Sequence, residues 1–240
     1  MGTSEAEDRL ATLGAVLEVA GLRLRGGFQP LPGDGVPPTR DGRPSATLLL
    51  VGSVGGSLWP AFSTAPECGD GRPHPLDRWT RRILEPVAAA CGATAHYPFD
   101  GPPWLPFQRW ARRAESVHPS PLGLLIHPDH GLWHAYRGAL SFAERLALPP
   151  RPEAVPSPCE TCVSRPCLHR CPVSAVGAQG LDVSSCRTYL RSAAGDACLA
   201  AGCLARAACP VGAFARYPEP EARFHMAAFR DPKQPSAGED

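Results

Sequence analysis

Eight of the ten cysteines in this chain fall between Cys159 and Cys209. They occur in short runs, and two of them, Cys171 and Cys209, are followed directly by proline. Thiolates a few residues apart on tight turns, in runs closed by Cys-Pro, are typical of iron–sulfur ligation. We therefore predict that this stretch binds iron–sulfur clusters through these thiolates. The eight cysteines are Cys159, Cys162, Cys167, Cys171, Cys186, Cys198, Cys203 and Cys209.

The number of cysteines predicts two clusters. Two [4Fe–4S] clusters need eight thiolates, and in two-cluster ferredoxins the cysteine that precedes proline serves the other cluster. Applied to this sequence, that rule divides the cysteines into two sets. The first set is Cys159, Cys162, Cys167 and Cys209, and the second set is Cys171, Cys186, Cys198 and Cys203.

The spacing leaves two alternatives open. Structural zinc also uses paired Cys-x2-Cys knuckles, but the Cys-Pro endings and the lack of a second such pair favour iron and sulfur. Four residues separate Cys162 from Cys167, where the usual bacterial pattern has two. The run Cys198–Cys209 is stretched as well. One cluster with spare cysteines is therefore the second alternative.

Composition indicates the class of protein and its compartment. The 240 residues carry a net charge of +1, which gives no electrostatic footprint for nucleic acid or an anionic membrane surface. No apolar run approaches the length of a membrane span. We predict a cytoplasmic protein with no nucleic-acid or membrane partner. Thiols stay reduced in that compartment, so clustered cysteines are expected to bind metal and not to form disulfides.

The remaining sequence predicts an α+β protein with a proline-rich boundary. Continuous apolar runs predict strands at Thr47–Val51 and Leu122–Ile126, and helical periodicity predicts a helix over residues 74–91. A further strand is predicted over residues 94–99. Prolines concentrated in residues 149–158 predict a semi-rigid linker. The predicted organisation is a sheet-and-helix domain over 1–148, the linker, a cysteine-rich module over 159–217, and a short helix with a disordered tail over 218–240.

The cysteine module resembles the two-cluster ferredoxin domain of epoxyqueuosine reductases and corrinoid reductive dehalogenases. The segment Leu181–Leu190 is similar to the part of the reductase that carries an isolated ligand between two cysteine runs. The resemblance gives Cys186 a ligand role, which spacing alone does not. The widened loops of this chain depart from the family pattern, most of all around the second set.

The N-terminal region resembles the cobalamin-processing CblC family. The likeness is sharpest over Gly123–Gly138, which has the family's His-Pro, Gly, Trp and Arg-Gly in order, and a weaker likeness lies in the helix with Asp77 and Pro86. Both families share a flavin-reductase-derived α+β core that binds base-off cobalamin. The resemblance therefore implies a corrinoid pocket, with candidate residues His127, Gly131, Trp133 and Arg137.

Together these patterns predict a corrinoid-linked oxidoreductase. Electrons from the clusters would reduce a bound cobalamin or remove its upper ligand, and an electron-donating reductase or a flavodoxin would supply them. Low-potential four-iron clusters suit this role. One alternative is a non-catalytic ferredoxin-type electron carrier. Another is a flavin-dependent oxidoreductase, because the related core derives from a flavin enzyme. No motif nominates a catalytic residue.

Overall fold

A computed structural model describes residues 3–150, 153 and 155–232 of the chain. Parts of the predicted linker and most of the predicted disordered tail therefore lie outside the described residues. The fold mixes helices with strands, as the sequence predicts.

The helices and strands are numbered in chain order. Before the cysteine runs they are α1 (Thr3–Glu18), β1 (Arg23–Phe28), β2 (Thr47–Val54), α2 (Trp59–Ser63), α3 (Pro66–Gly69), α4 (Pro75–Ala90), β3 (Thr94–His96), α5 (Phe107–Ala114), β4 (His118–Pro119), β5 (Leu125–Ile126) and β6 (His134–Phe142). From the cysteine runs onward they are α6 (Pro158–Thr161), β7 (Val176–Gly177), β8 (Gly180–Leu181), α7 (Val183–Leu190), α8 (Asp196–Ala201), α9 (Leu204–Ala207) and α10 (Glu219–Arg230), with 3₁₀ turns at Pro166–Leu168, Ala193–Gly195 and Ala213–Ala215.

The described residues divide into two compact units, each built from two stretches of chain. The first unit comprises residues 3–116 and 135–153, and the second comprises residues 117–134 and 155–232. The predicted continuous domain over 1–148 differs from this division, because residues 117–134 belong with the cysteines. The helix α10 also belongs to the second unit and is not a separate appendage.

The first unit is organised around a four-stranded sheet in the order β1-β2-β6-β3. The strand β2 is central and buried along almost its whole length, which its continuous apolar run predicts. It pairs antiparallel with β1, and β3 pairs antiparallel with β6. Helix α4 adds Trp79 and Leu84 to the core, and α5 adds Trp110; all three side chains are buried. Pro86 lies inside α4, as the sequence predicts.

Two predicted strands are shorter in the structure. The strand expected over residues 94–99 ends at His96, because Asp100 closes a turn onto the Tyr97 carbonyl and Pro98 has no N–H to donate. The strand expected over residues 122–126 covers only its last two residues. A turn precedes it, in which Gly123 adopts a φ of 73° and donates its N–H to Ser120.

The second unit consists of short elements around a small apolar core. Its two-stranded sheets, β4-β5 and β7-β8, have strands of only two residues. Leu122, Ile126 and Leu132 from the first stretch share one core with Val176 and Ala205 from the second. This shared core explains why residues 117–134 fold with the cysteine runs.

Over the described part of the chain, no helix combines the length and the apolar character needed to cross a lipid bilayer.

Candidate functional site

Four cysteines line a cavity of about 280 Å³ in the second unit. They are the predicted first set: Cys159, Cys162, Cys167 and Cys209. Pro119 and Ile126 from residues 117–134 complete one wall, and Arg165 and Glu160 are the charged lining residues. Cysteines that are up to fifty positions apart in sequence therefore face one space. We refer to this space as the first cavity.

The remaining four cysteines of the runs line a separate, much smaller cavity. Cys171, Cys186, Cys198 and Cys203, the predicted second set, surround about 20 Å³, room for about one water molecule. The rest of this second cavity is walled by uncharged side chains, among them Leu190 of α7 and Met226 of α10. The structure thus brings the eight cysteines together in the two groups of four that the sequence predicts.

Capped helices position two of the eight cysteines, Cys159 and Cys186. The Ser157 hydroxyl accepts the N–H of Cys159 at 3.3 Å and caps α6. The Asp182 carboxylate accepts the N–H of Ser185 at 3.0 Å and caps α7, the helix that carries Cys186. Such side-chain caps stabilise short helices by satisfying N–H groups that have no partner within the helix. The isolated cysteine is therefore held on a regular element.

The thiols within each set influence one another electrostatically. Burial raises the pKa of Cys186 to about 11, and Cys203, Cys171 and Cys198 contribute to this rise. Burial likewise raises the pKa of Cys159, with contributions from Cys209 and Cys167. Each interaction involves members of the same set. A thiolate in either cavity is unfavourable until a positive charge compensates it, and bound metal supplies such a charge.

The four thiols of each set surround a cavity and do not converge on the position of a single metal ion. Within residues 3–150, 153 and 155–232, no three His, Cys, Asp or Glu side chains are arranged to hold one metal ion. A four-iron cluster differs from a single ion in this respect, because each thiolate binds a different iron.

The structure separates the four candidate corrinoid residues between the two units. His127, Gly131 and Trp133 lie in the second unit, whereas Arg137 lies on β6 in the first. In the second unit, His127 and Gly131 form a bridge in which each N–H bonds the other carbonyl, at 2.8 and 2.9 Å. The His127 and His130 rings stack at 4.5 Å. This loop is thus compact and hydrogen-bonded within itself.

Gly131 and Trp133 pack against the segment that carries Cys209. Gly131 adopts a φ of 58°, and a Cβ atom at this position would lie 2.0 Å from the Val211 carbonyl oxygen. Trp133 is 5% exposed, and its ring contacts the Arg206 guanidinium at 4.3 Å and the edge of Tyr217 at 5.4 Å. Arg206 and Tyr217 did not stand out in the sequence, because their partners lie more than seventy positions away.

In the first unit, Arg137 already has protein partners. Its guanidinium contacts the Asp77 carboxylate at 2.6 Å and the Thr80 hydroxyl at 3.2 Å, both on α4. Its side chain is 13% exposed. The two sequence segments that carry the CblC resemblance, around Asp77 and around Arg137, therefore meet in one half-buried ion pair.

Comparison with solved structures identifies the fold. The chain aligns with a C. elegans B12-trafficking protein, CblC, a homologue of human MMACHC, with a TM-score of 0.53 and 15% identity, covering 95% of this chain and 97% of that one. It also aligns with a selenomethionine-labelled epoxyqueuosine reductase, with a TM-score of 0.52 and 12% identity, covering 92% of this chain and 70% of that one.

Comparisons of sequence add no family assignment. No protein-family model matches the chain. No curated protein matches it either. The structural likeness, at these identities, concerns the fold alone: the chain has a mixed α/β fold similar to those of CblC and epoxyqueuosine reductase.

Proposed function

We propose that this chain holds two [4Fe–4S] clusters and passes electrons from them to a corrinoid. One observation carries the proposal: the eight clustered cysteines line two separate cavities, four to each. The division matches the rule by which the cysteine before proline serves the other cluster. In this assignment the first set holds one cluster and the second set holds the other.

The residues that line each cavity suit this assignment, although the second cavity would have to widen from about 20 Å³ to admit a cluster. Each cavity offers four thiols, and soft thiolates favour iron–sulfur clusters over hard cations. When bound, such clusters transfer single electrons at low potential. The protein's own part is to fix the thiols, to exclude water from the second cavity through Leu190 and Met226, and to satisfy sulfur lone pairs. The Ala175 N–H, for example, donates to the Cys171 sulfur at 3.3 Å.

The corrinoid half of the proposal is supported by the fold. A CblC described as a B12-trafficking protein and an epoxyqueuosine reductase share the fold of this chain. The reaction would then be reduction of the bound corrinoid or removal of its upper ligand. An electron-donating reductase or flavodoxin would serve as the partner.

A second candidate is an electron carrier that binds no corrinoid. One observation favours it: Gly131 and Trp133, which the resemblance nominates for the corrinoid pocket, are packed against the chain's own Val211 and Arg206. In this candidate the clusters accept and donate electrons, and the first unit serves only to dock another protein.

Anaerobic reconstitution with iron and sulfide tests the cluster assignment. We expect about eight iron atoms per chain, with electron paramagnetic resonance (EPR) signals of reduced four-iron clusters. Cys171→Ala removes one ligand of the second set and should lower the iron content to about four. Cys91→Ala is the matched control, because Cys91 lies at the end of α4 in the first unit. Stoichiometric zinc, or equal iron in all three proteins, would contradict the assignment.

Titration with cob(II)alamin separates the two candidates. A corrinoid-binding protein should shift the spectrum of cob(II)alamin to the base-off form at a stoichiometry of one per chain. Clusters without that shift would support the electron carrier, and the absorption bands of a bound flavin would support a flavin enzyme.

A further inference from the structure

Two loops of the second unit meet backbone to backbone at a pair of glycines. Gly131 and Gly212 adopt φ values of 58° and 66°, which residues with a side chain rarely adopt. A Cβ atom on Gly131 would lie 2.0 Å from the Val211 oxygen, and one on Gly212 would lie 2.2 Å from the His130 carbonyl carbon. Neither contact leaves space for even one methyl group. The loop His127–Trp133 therefore sits directly against the chain that follows Cys209 and Pro210.

Arg206, which precedes Cys209 in the sequence, also contacts the loop His127–Trp133. Its Nη2 donates to the Leu132 carbonyl at 2.6 Å, and its guanidinium contacts the rings of both Trp133 and Tyr217, at 4.3 and 4.5 Å from the ring centres. The indole N–H of Trp133 has no hydrogen-bond partner in the described part of the chain, so its ring contributes through its face. The Arg206 carbonyl in turn accepts the N–H of Cys209 at 3.2 Å.

Cys209 is thus held on both sides by one loop. The loop reaches it through Arg206 on the preceding turn and through Val211 two residues beyond it. Cys209 itself is buried, at 9% exposure, in the core that contains Ile126 and Leu132. The other three members of the first set lie on residues 159–167. Cys209 is therefore the member of this set whose position depends most on long-range contacts.

We propose that the loop His127–Trp133 positions Cys209 for the first cluster, with Gly131 and Trp133 as its positioning residues. The inference rests on the proposed cluster assignment and extends it. Under this proposal Gly131 and Trp133, which the resemblance nominates for corrinoid binding, hold Cys209 in place. Cys209 is the cysteine of the first set that lies farthest along the sequence from the other three. The second cavity takes none of its lining residues from residues 117–134, whereas Pro119 and Ile126 of that stretch line the first cavity.

A pair of glycine substitutions tests the proposal in the full-length, reconstituted protein. Gly131→Ala introduces the collision with Val211. Gly123→Ala is the control, because Gly123 has a similar φ of 73° in the same stretch of chain but open space around its Cβ position. We expect Gly131→Ala to retain about four of the eight iron atoms, with the magnetic interaction between the two reduced clusters lost. Gly123→Ala should retain both clusters.

A milder substitution guards against a general folding defect. Trp133→Ala should also lose the first cluster, whereas Trp133→Phe keeps an aromatic face for Arg206 and should restore it. Cys186→Ala supplies the reference EPR spectrum of a chain without the second cluster. Loss of iron from both sites in equal measure in Gly131→Ala and Trp133→Ala would overturn the proposal, because it would show a general structural role.

Iron uptake by the wild-type protein distinguishes a failure of the proposed function from a failure of the positioning role alone. If it takes up no iron, the proposed function fails. If it holds two clusters and Gly131→Ala holds two with an unchanged spectrum, only the positioning role of the loop fails.

Discussion

The two units of this chain have different kinds of core. Of the twelve largest fully buried side chains in the described residues, all but Ile126 lie in the first unit. The core of the second unit is small and includes Cys209, with Cys159, Cys167, Cys171 and Cys203 packed against it. Apolar burial alone can stabilise the first unit. The second unit uses its proposed cluster ligands as core residues, so we expect its stability to depend on what those thiols bind.

Removal of iron should give the largest difference between the units. Helices as short as α8 and α9 are marginal without tertiary support, and two-residue strands contribute little. In reconstituted protein treated with a chelator, we expect the amides of α7 to α10 to exchange hydrogen nearly as fast as an unfolded chain. Amides of β2 should keep their protection. Equal protection of the second unit with and without iron would remove the proposed dependence on metal.

A large-to-small substitution in the core of the first unit should destabilise that unit and leave the second unit unaffected. Trp79 is 1% exposed and contacts the edge of Phe62 at 5.7 Å between ring centres. Trp79→Ala should lower the free energy of unfolding of this unit by about 3–5 kcal/mol, measured by urea denaturation. Iron content should stay unchanged. Trp104→Ala, at a position 63% exposed, is the control and should change stability by less than about 0.5 kcal/mol.

Mild acid should weaken the first unit by a smaller amount, through His96. Burial lowers the pKa of this imidazole, although Asp100 and Glu85 oppose the shift, and its Nε2 contacts the buried Ser141 hydroxyl at 2.8 Å. The folded state therefore favours the neutral ring. The contribution of His96 is complete above the ordinary pKa of about 6.5 and is lost as pH falls from there toward the lowered pKa of the folded state.

Comparison with His96→Gln isolates that contribution. The stability of the wild-type protein should fall more steeply than that of the variant as the pH falls below about 6.5, as measured by denaturation followed at several pH values. Parallel curves for the two proteins would show that His96 does not titrate on unfolding.

Sequence reasoning was most successful where the signal was local. The buried run of β2 and the periodicity of α4 each determine an element by themselves, and the structure confirms both. The cysteine groups were predictable because a chemical rule ties the spacing of ligands to their pairing. A five-residue strand at Leu122–Ile126 was wrong in length, because apolar periodicity does not show the turn that Gly123 closes.

The parts that sequence reasoning missed depend on contacts between distant residues. The loop at Gly131 resembles part of a CblC domain, and its sequence gives no sign that it folds with cysteines nearly eighty positions later. Arg206 is one arginine among many until its contacts with the rings of Trp133 and Tyr217 are seen. The glycine at position 131 was the one available signal, and it does not name the partner.

Each proposed set combines cysteines from both runs, and this affects the order in which the two sites are completed during synthesis of the chain. In the proposed assignment, the second site has all its ligands once Cys203 has been synthesised, whereas the first site waits for Cys209, the last cysteine of the chain. The first site additionally needs residues 117–134, which leave the ribosome earlier and must stay available. The second site can therefore acquire its four thiols first during biogenesis, and a chain that stops between Cys203 and Cys209 would carry all four thiols of the second site but only three of the first.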